Sequence, residues 1–432
     1  MFDKKETTVP APPKPTTFHQ SGILNRPPEH NLLAALAFAG PAASDPTAAR
    51  ATIEALQQVV RAELRSDLDD QGPTTPKDQP GPETGELGFA DGYDRAHLTI
   101  TFGLAKAGFV RLGVADDDQP QDLTPIDWAK LGDTPTLTAE QGDLVLQICS
   151  DDLYICEHVL RRVEEELGDR LQVVWTQLGA QRYTTRQGRT NRAEGRALMG
   201  FVDGNANLDP RHDPEDAKLV FVDPDAVGSY PPLPSTLPSG YSGADAFPPD
   251  LRDRPAREPA WVRAGAYMVV RASMQDIATW DDNTLAAQED TIGRFKYSGA
   301  FLDRSDDTSL TNEPPLFQQD QSNETVLVDS HVRKVNPRRP EDRPREIFRR
   351  GYALISARAG GLTRGLLFVC FSRTISTQFE FIVRAWMRNA NFPRPGAGQD
   401  RILAFDQAVC GGYYFVPAVS DRNKPWMWVL PW

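Results

Sequence analysis

Residues 143–176, DLVLQICSDDLYICEHVLRRVEEELGDRLQVVWT, decide the fold class. Asp143 to Ile148 is a strand-like apolar run, the Ser-Asp-Asp that follows supplies a helix start, and LYICEHVLRRVEEELG is amphipathic at helical spacing up to Gly168. Leu171 to Thr176 then returns to strand character. Strands alternating with a helix, without a series of parallel βαβ units, imply an antiparallel α+β sheet. The same sketch recurs further on, with AYMVVRA as strand, MQDIATWDDN as helix, FRRGYALISA and LLFVCFS as a hairpin, QFEFIVRAWMRNA as helix and YYFVPA as strand. Two ferredoxin-like units, each an antiparallel sheet with peripheral helices, would produce this order, although no residue-level repeat joins them.

Upstream, HLTITF (97–102) is β-rich and GFVRLG opens another element. NLLAALAFAG has a helical pattern, and DPTAARATIEALQQVVRAELRS is a second one with apolar residues at Ile53, Leu56, Val59, Val60 and Leu64 and Asp45 as N-cap before Pro46. Between these elements lie polar stretches. Residues 1–22 form a Pro/Thr-rich leader expected to be disordered, and residues 67–88 and 304–325 are expected as surface loops. Residues 207–259, rich in Pro, Asp and Gly, are expected as an insertion outside the core, either covering a site entrance or remote from it. The expected division is an N-terminal unit at 23–200 and a C-terminal unit at 201–432.

The 432 residues are 40% apolar, enough for a sizeable core, and a formal charge of −13 argues against a nucleic-acid surface or a polybasic membrane anchor. Cys149, Cys156, Cys370 and Cys410 form no CxxC or CxxCH, and a reducing compartment fits. The N-terminus lacks a secretory h-region and a twin-arginine pair, and no apolar run is long enough for a transmembrane helix. A cytoplasmic location is the expectation.

One stretch carries the chemistry: Asp329 to Tyr352, DSHVRKVNPRRPEDRPREIFRRGY, with His331 and an Arg pair beginning eighteen residues after it. Alone, such a histidine reads most simply as a loop residue facing water. A second stretch, Gly200 to Asn207 (GFVDGNAN), adds a GxxDG pattern that would let backbone approach a flat ligand and project Asp203 into a pocket. Taken alone, Asp-Gly is first of all a turn signal.

Together GFVDGNAN, SHVRKVNPR and FRRGY, in that order, resemble the dye-decolourising peroxidases. SGILNRPPEHNLL, LTITFGL, QEDTIGRFKYSGAFL, GLLFVCFSR and GGYYFVP extend the likeness over roughly residues 20 to 418. The resemblance implies noncovalent haem b in the C-terminal unit, with His331 as proximal iron ligand, Asp203 as distal acid/base and Arg349 as distal cation; Arg350 competes for that last role. It implies Asp400 as the carboxylate partner of His331, with Asp406 as competitor, and Gly204, Asn205, Leu366 and Phe368 as further haem contacts. The implied activity is reduction of hydrogen peroxide with one-electron oxidation of phenolic or dye-type aromatic donors, Mn(II) being a candidate donor. The alternatives are a haem-handling protein that releases iron, and a stored or encapsulated cargo, with a homo-oligomer as a further partner state. The tail DRNKPWMWVLPW is apolar enough to dock on a partner, and docking back on its own core is the leading expectation for it.

Overall fold

The computed structural model describes residues 17–64, 96–136, 141–181, 195–203, 207–226, 258–302, 326–338, 342–358 and 361–432, apart from the side chains of Asp203, Ala357 and Arg358. The expected surface loops 67–88 and 304–325 lie outside these residues.

The N-terminal unit contains β1 (His30–Phe38), β2 (Thr99–Leu104), β3 (Leu144–Ser150) and β4 (Leu171–Ala180). β5 (Gly195–Arg196) and β6 (Val202–Asp203) form a two-residue ribbon. β7 (Ala266–Gln275), β8 (Phe348–Arg349), β9 (Tyr352–Arg358), β10 (Gly361–Ser372) and β11 (Asp406–Val416) follow. The first sheet has the order β2-β3-β1-β4 and the second β11-β7-β10-β9, every pairing being antiparallel. Counted within each unit, both read four-one-three-two. The ferredoxin-like topology therefore occurs twice, as the α+β reading expects.

The two sheets meet along both edges. Gly179 and Ala180 of β4 pair with Leu354 and Ala353 of β9, and Leu104 of β2 pairs with Phe415 of β11. At the first junction a Cβ on Gly179 would lie 2.6 Å from the Tyr352 Cβ, so only glycine lets the strands approach. The ring that results encloses Leu33, Ala35, Val145, Met268, Val270, Leu367, Val369 and Tyr414 in one buried cluster. Alternate residues face outward. On the N-terminal sheet Leu32, Ala34, Leu36 and Leu146 pack against Ile53, Leu56 and Val60 of helix Pro46–Leu64 and Val159 and Val163 of helix Leu153–Leu167.

Four expectations are corrected. NLLAALAF is strand β1, not a helix: it is buried on both faces, so its apolar residues run continuously and carry no period-2 signature. The end of the leader is ordered, since Phe18 bridges Val419 and the buried Gln20 side chain bonds the carbonyls of Phe102 and Pro417 at 3.0 and 2.9 Å. Residues 207–226 belong to the core: helix Pro214–Val220, N-capped by Asp213, buries Leu219 and Val220, and Leu208 joins them. His331 is not a loop residue but opens the short helix His331–Val335. The C-terminal tail docks on its own protein, with Trp428 stacked 3.9 Å from Phe102.

Candidate active site

The outer face of β7 and β10 is covered by a helix that runs in wide π-type turns through Ile375–Phe379 and Ile382–Met387. Its start is fixed by Asp122, whose carboxylate accepts from the backbone N–H of Ile375 at 2.6 Å and of Ser376 at 2.9 Å. A cavity of about 1130 Å³, open mouth included, lies against this face. From the sheet come Arg271, Gln275, Arg349, Leu366 and Phe368; from the helical side come Phe379, Ile382, Val383, Trp386, Met387, Ile402 and Leu403. Leu366 and Phe368 reach it because they alternate with the fully buried Leu367 and Val369 of the ring interior.

His331 lines the cavity from helix His331–Val335, and its Nδ1 lies 2.8 Å from Oδ2 of the buried Asp400. Asp400 caps the single-turn helix Arg401–Ala404, its Oδ1 accepting from Ile402 N–H at 3.1 Å. Both carboxylate oxygens are thereby engaged. An Nδ1–H donated to Asp400 leaves Nε2 as the imidazole nitrogen with a lone pair. Asp406 is committed elsewhere, accepting from Arg271 and from the Ser273 hydroxyl, each at 2.6 Å.

Arg349 lines the cavity from β8, which pairs with β10 through Arg349–Cys370 and Phe348–Phe371. Burial pushes the Cys370 thiol up, so it stays protonated beside the guanidinium. Arg350 points away: it is 2% exposed and donates to the carbonyls of Ile23, at 3.1 Å, and Asn25. The two arginines of FRRGY thus have different employments. Asp203 pairs through its backbone with Gly195, while its side chain, together with Gly204 and Asn205, lies outside the described residues.

Sequence reasoning missed several residues. Asn207, the last residue of GFVDGNAN, brackets the Arg349 backbone by accepting from its N–H at 3.0 Å and donating to its carbonyl at 2.9 Å. Asn207 is therefore stapled to the strand that carries Arg349. Arg271 bonds Asp133 at 2.9 and 3.1 Å as well as Asp406, and Arg388 reaches the same Asp133 at 2.7 Å. Burial alone would lower the Arg271 pKa, but Asp406 and Asp133 outweigh it and raise it. Glu346, also on the cavity wall, is pushed up by burial despite the Asn336 amide at 3.1 Å. Only the order of residues in space joins Asp133, Arg271 and Arg388, and no motif announces it.

An imidazole held by a carboxylate, an arginine and broad apolar walls are groups that a haem would fit: a lone-pair nitrogen able to ligate iron, hydrocarbon surface for a flat macrocycle, and a cation. Haem fits the residues present. Residues 20–181 match the Dyp-type peroxidase N-terminal family model and residues 249–421 its C-terminal counterpart. The deferrochelatases of Escherichia coli K12 and Shigella flexneri are each 28% identical over 417 residues, covering 94% of this chain and 84% of theirs. A DyP-type peroxidase from Streptomyces coelicolor is structurally similar at TM-score 0.67 and 25% identity, over 93% of this chain and 92% of that one. Ferric DtpA from Streptomyces lividans has the same score and identity over 93% and 91%. The chain belongs to the Dyp-type peroxidase family. It is a hydrogen-peroxide-dependent haem peroxidase acting on organic reductants.

Proposed function

We propose that His331 holds the haem iron through Nε2, that Asp203 and Arg349 act on peroxide, and that Leu366 and Phe368 pack on the macrocycle. The observation that carries this reading is the His331–Asp400 bond inside a cavity that Arg349 also lines. Bound haem supplies the redox centre at which the O–O bond is cleaved and from which donors are oxidised one electron at a time. Asp400 fixes the ring tautomer and makes the imidazole a stronger donor to iron. Asp203 takes the proton from the oxygen of peroxide that binds and returns it to the oxygen that leaves as water. Arg349, always protonated, stabilises charge on that leaving oxygen.

Phenols and aromatic dyes are the proposed donors, with Mn(II) second. The relatives named deferrochelatase suggest iron release from haem as a further activity to test. A neighbour from Mycobacterium smegmatis, 18% identical, is an encapsulated DyP-type peroxidase. Here Trp428 is stacked on Phe102, which favours a structural tail over a docking tag. No helix among the described residues is long and apolar enough to cross a membrane; a cytoplasmic location is the proposal.

The test is the absorption spectrum of haem-loaded protein before and after one equivalent of hydrogen peroxide, at pH 4 and pH 7, beside Asp203→Asn and His331→Ala. A histidine-ligated ferric spectrum that peroxide converts rapidly, more slowly in Asp203→Asn, and that is lost in His331→Ala is expected. Stable haem binding with no reaction at either pH would overturn the peroxide reading and move the protein to haem handling.

A further inference from the structure

The His331–Asp400 bond joins two elements that have little to hold them in register. Helix His331–Val335 has five residues and helix Arg401–Ala404 has four, and helices this short are marginal without tertiary support. Residues 389–400, which lead to Asp400, contain neither helix nor strand. A donor–acceptor distance of 2.8 Å tolerates only a few tenths of an ångström before the bond weakens.

The two segments are fastened to each other on both sides of that bond. On one side the Asp329 carboxylate meets Arg401 Nε at 2.8 Å, and the Arg401 N–H donates to the Asp329 carbonyl at 3.1 Å. On the other, Lys334 Nζ donates to the carbonyls of Asn389 at 2.8 Å and Phe392 at 2.6 Å, both on the run toward Asp400. Asp329 and Lys334 flank His331 in sequence, and Asn389 and Arg401 flank Asp400. We propose that Asp329, Lys334 and Arg401 are positioning residues, a clasp that fixes the His331–Asp400 geometry and thereby how strongly the imidazole donates to iron. The proposal rests on the reading of His331 as the axial ligand.

Energetics favour this over a role in stability alone. Lys334 is fully buried, and a buried ammonium costs free energy that an apolar side chain of the same length would not. Burial lowers its pKa to about 8 even with Asp400 and Asp329 pulling the other way. Lys334 also lies 5.5 Å from the Phe392 ring, which stacks on the cavity-lining Trp386 at 5.5 Å. Any shift of the loop is thus transmitted to the cavity wall.

The experiment uses the haem-loaded full chain and the variants Lys334→Met, Arg401→Gln, Arg401→Lys and His331→Ala. The readouts are the iron–histidine stretching band in the resonance Raman spectrum of the ferrous protein, the reduction potential and the melting temperature. Lys334→Met and Arg401→Gln are expected to keep histidine ligation while the band moves to lower frequency and broadens and the potential rises. Arg401→Lys, which retains the charge, is expected to return the band toward wild type. An unchanged band and potential in folded, histidine-ligated variants, whatever their melting temperature, would overturn the clasp. Should Lys334→Met fail to fold, Arg401→Gln decides alone, because Arg401 is half exposed. A histidine band surviving in His331→Ala would overturn the axial-ligand reading, and the clasp with it.

Discussion

The two units share one topology and differ in what their outer faces carry. On the N-terminal sheet the outward positions of β1 are Leu32, Ala34 and Leu36, and two long helices settle directly on them with Ile53, Leu56, Val60 and Val159. Polar groups there are sealed between those helices, Glu63 lying 3.4 Å from His158 and 3.9 Å from Arg162. On the C-terminal sheet the outward positions of β7 include Arg271, Ser273 and Gln275, and those of β10 include the half-buried Leu366 and Phe368. The covering helix meets the sheet through Phe379, against Phe368 and Tyr413, and through Glu380, which accepts from the Tyr413 hydroxyl at 3.1 Å; the cavity lies between its Ile382–Met387 turns and the strands. A ferredoxin-like unit therefore needs no pocket; in the second one Arg271 on a central strand lines the cavity and is paired with Asp133 and Asp406.

The largest effect that would break this contrast is on rate. Arg349→Leu should lower kcat/KM for peroxide roughly a hundred- to a thousand-fold, as when a charge-stabilising donor is removed from other sites, with little change in melting temperature. Arg350→Met should do the reverse, costing roughly 1 to 3 kcal/mol for each carbonyl it abandons at Ile23 and Asn25 while the folded fraction keeps its rate. Equal rate losses in both would mean that the adjacent arginines do not divide function from structure. Next in size, Leu56→Ala on the dry face should destabilise by about 2 to 5 kcal/mol and leave haem affinity alone. Phe368→Ala, facing space that already exists, should cost less stability but weaken haem retention. Chemical unfolding and haem transfer to apomyoglobin measure the two quantities.

That contrast was only partly legible in the sequence. Alternating strand and helix patterns reveal both units, because half-buried strands such as β4 and amphipathic helices such as Leu153–Leu167 write their period into the chain. β1 hides it: a strand buried on both faces has no polar face to alternate with, so Leu- and Ala-rich residues mimic a helix. The His331–Asp400 pair was reachable only through family motifs, since 69 residues separate them. Arg349 and Arg350 are neighbours whose side chains a β-strand sends to opposite faces, a fact that spacing alone supports but does not assign. The Asp133–Arg271–Asp406 network, drawn from three distant segments, leaves no local trace at all.

The smallest effect concerns Lys334, which the second unit buries beside its cavity wall. Its folded pKa is about 8, against 10.5 for an unhindered lysine. Below pH 8 it is charged in both folded and unfolded chains, and the folded state bears the full cost of burying the ammonium. Between pH 8 and 10.5 the folded protein sheds a proton that the unfolded chain keeps, so the unfolded state binds more protons and stability rises with pH through this window. The slope should be absent from the Lys334 contribution outside the window. Melting temperatures of haem-free wild type and Lys334→Met, measured from pH 7 to 10.5, isolate that contribution: the difference between them should move in favour of wild type as pH climbs past 8. A difference constant across the range would mean that the ammonium is not penalised by its surroundings.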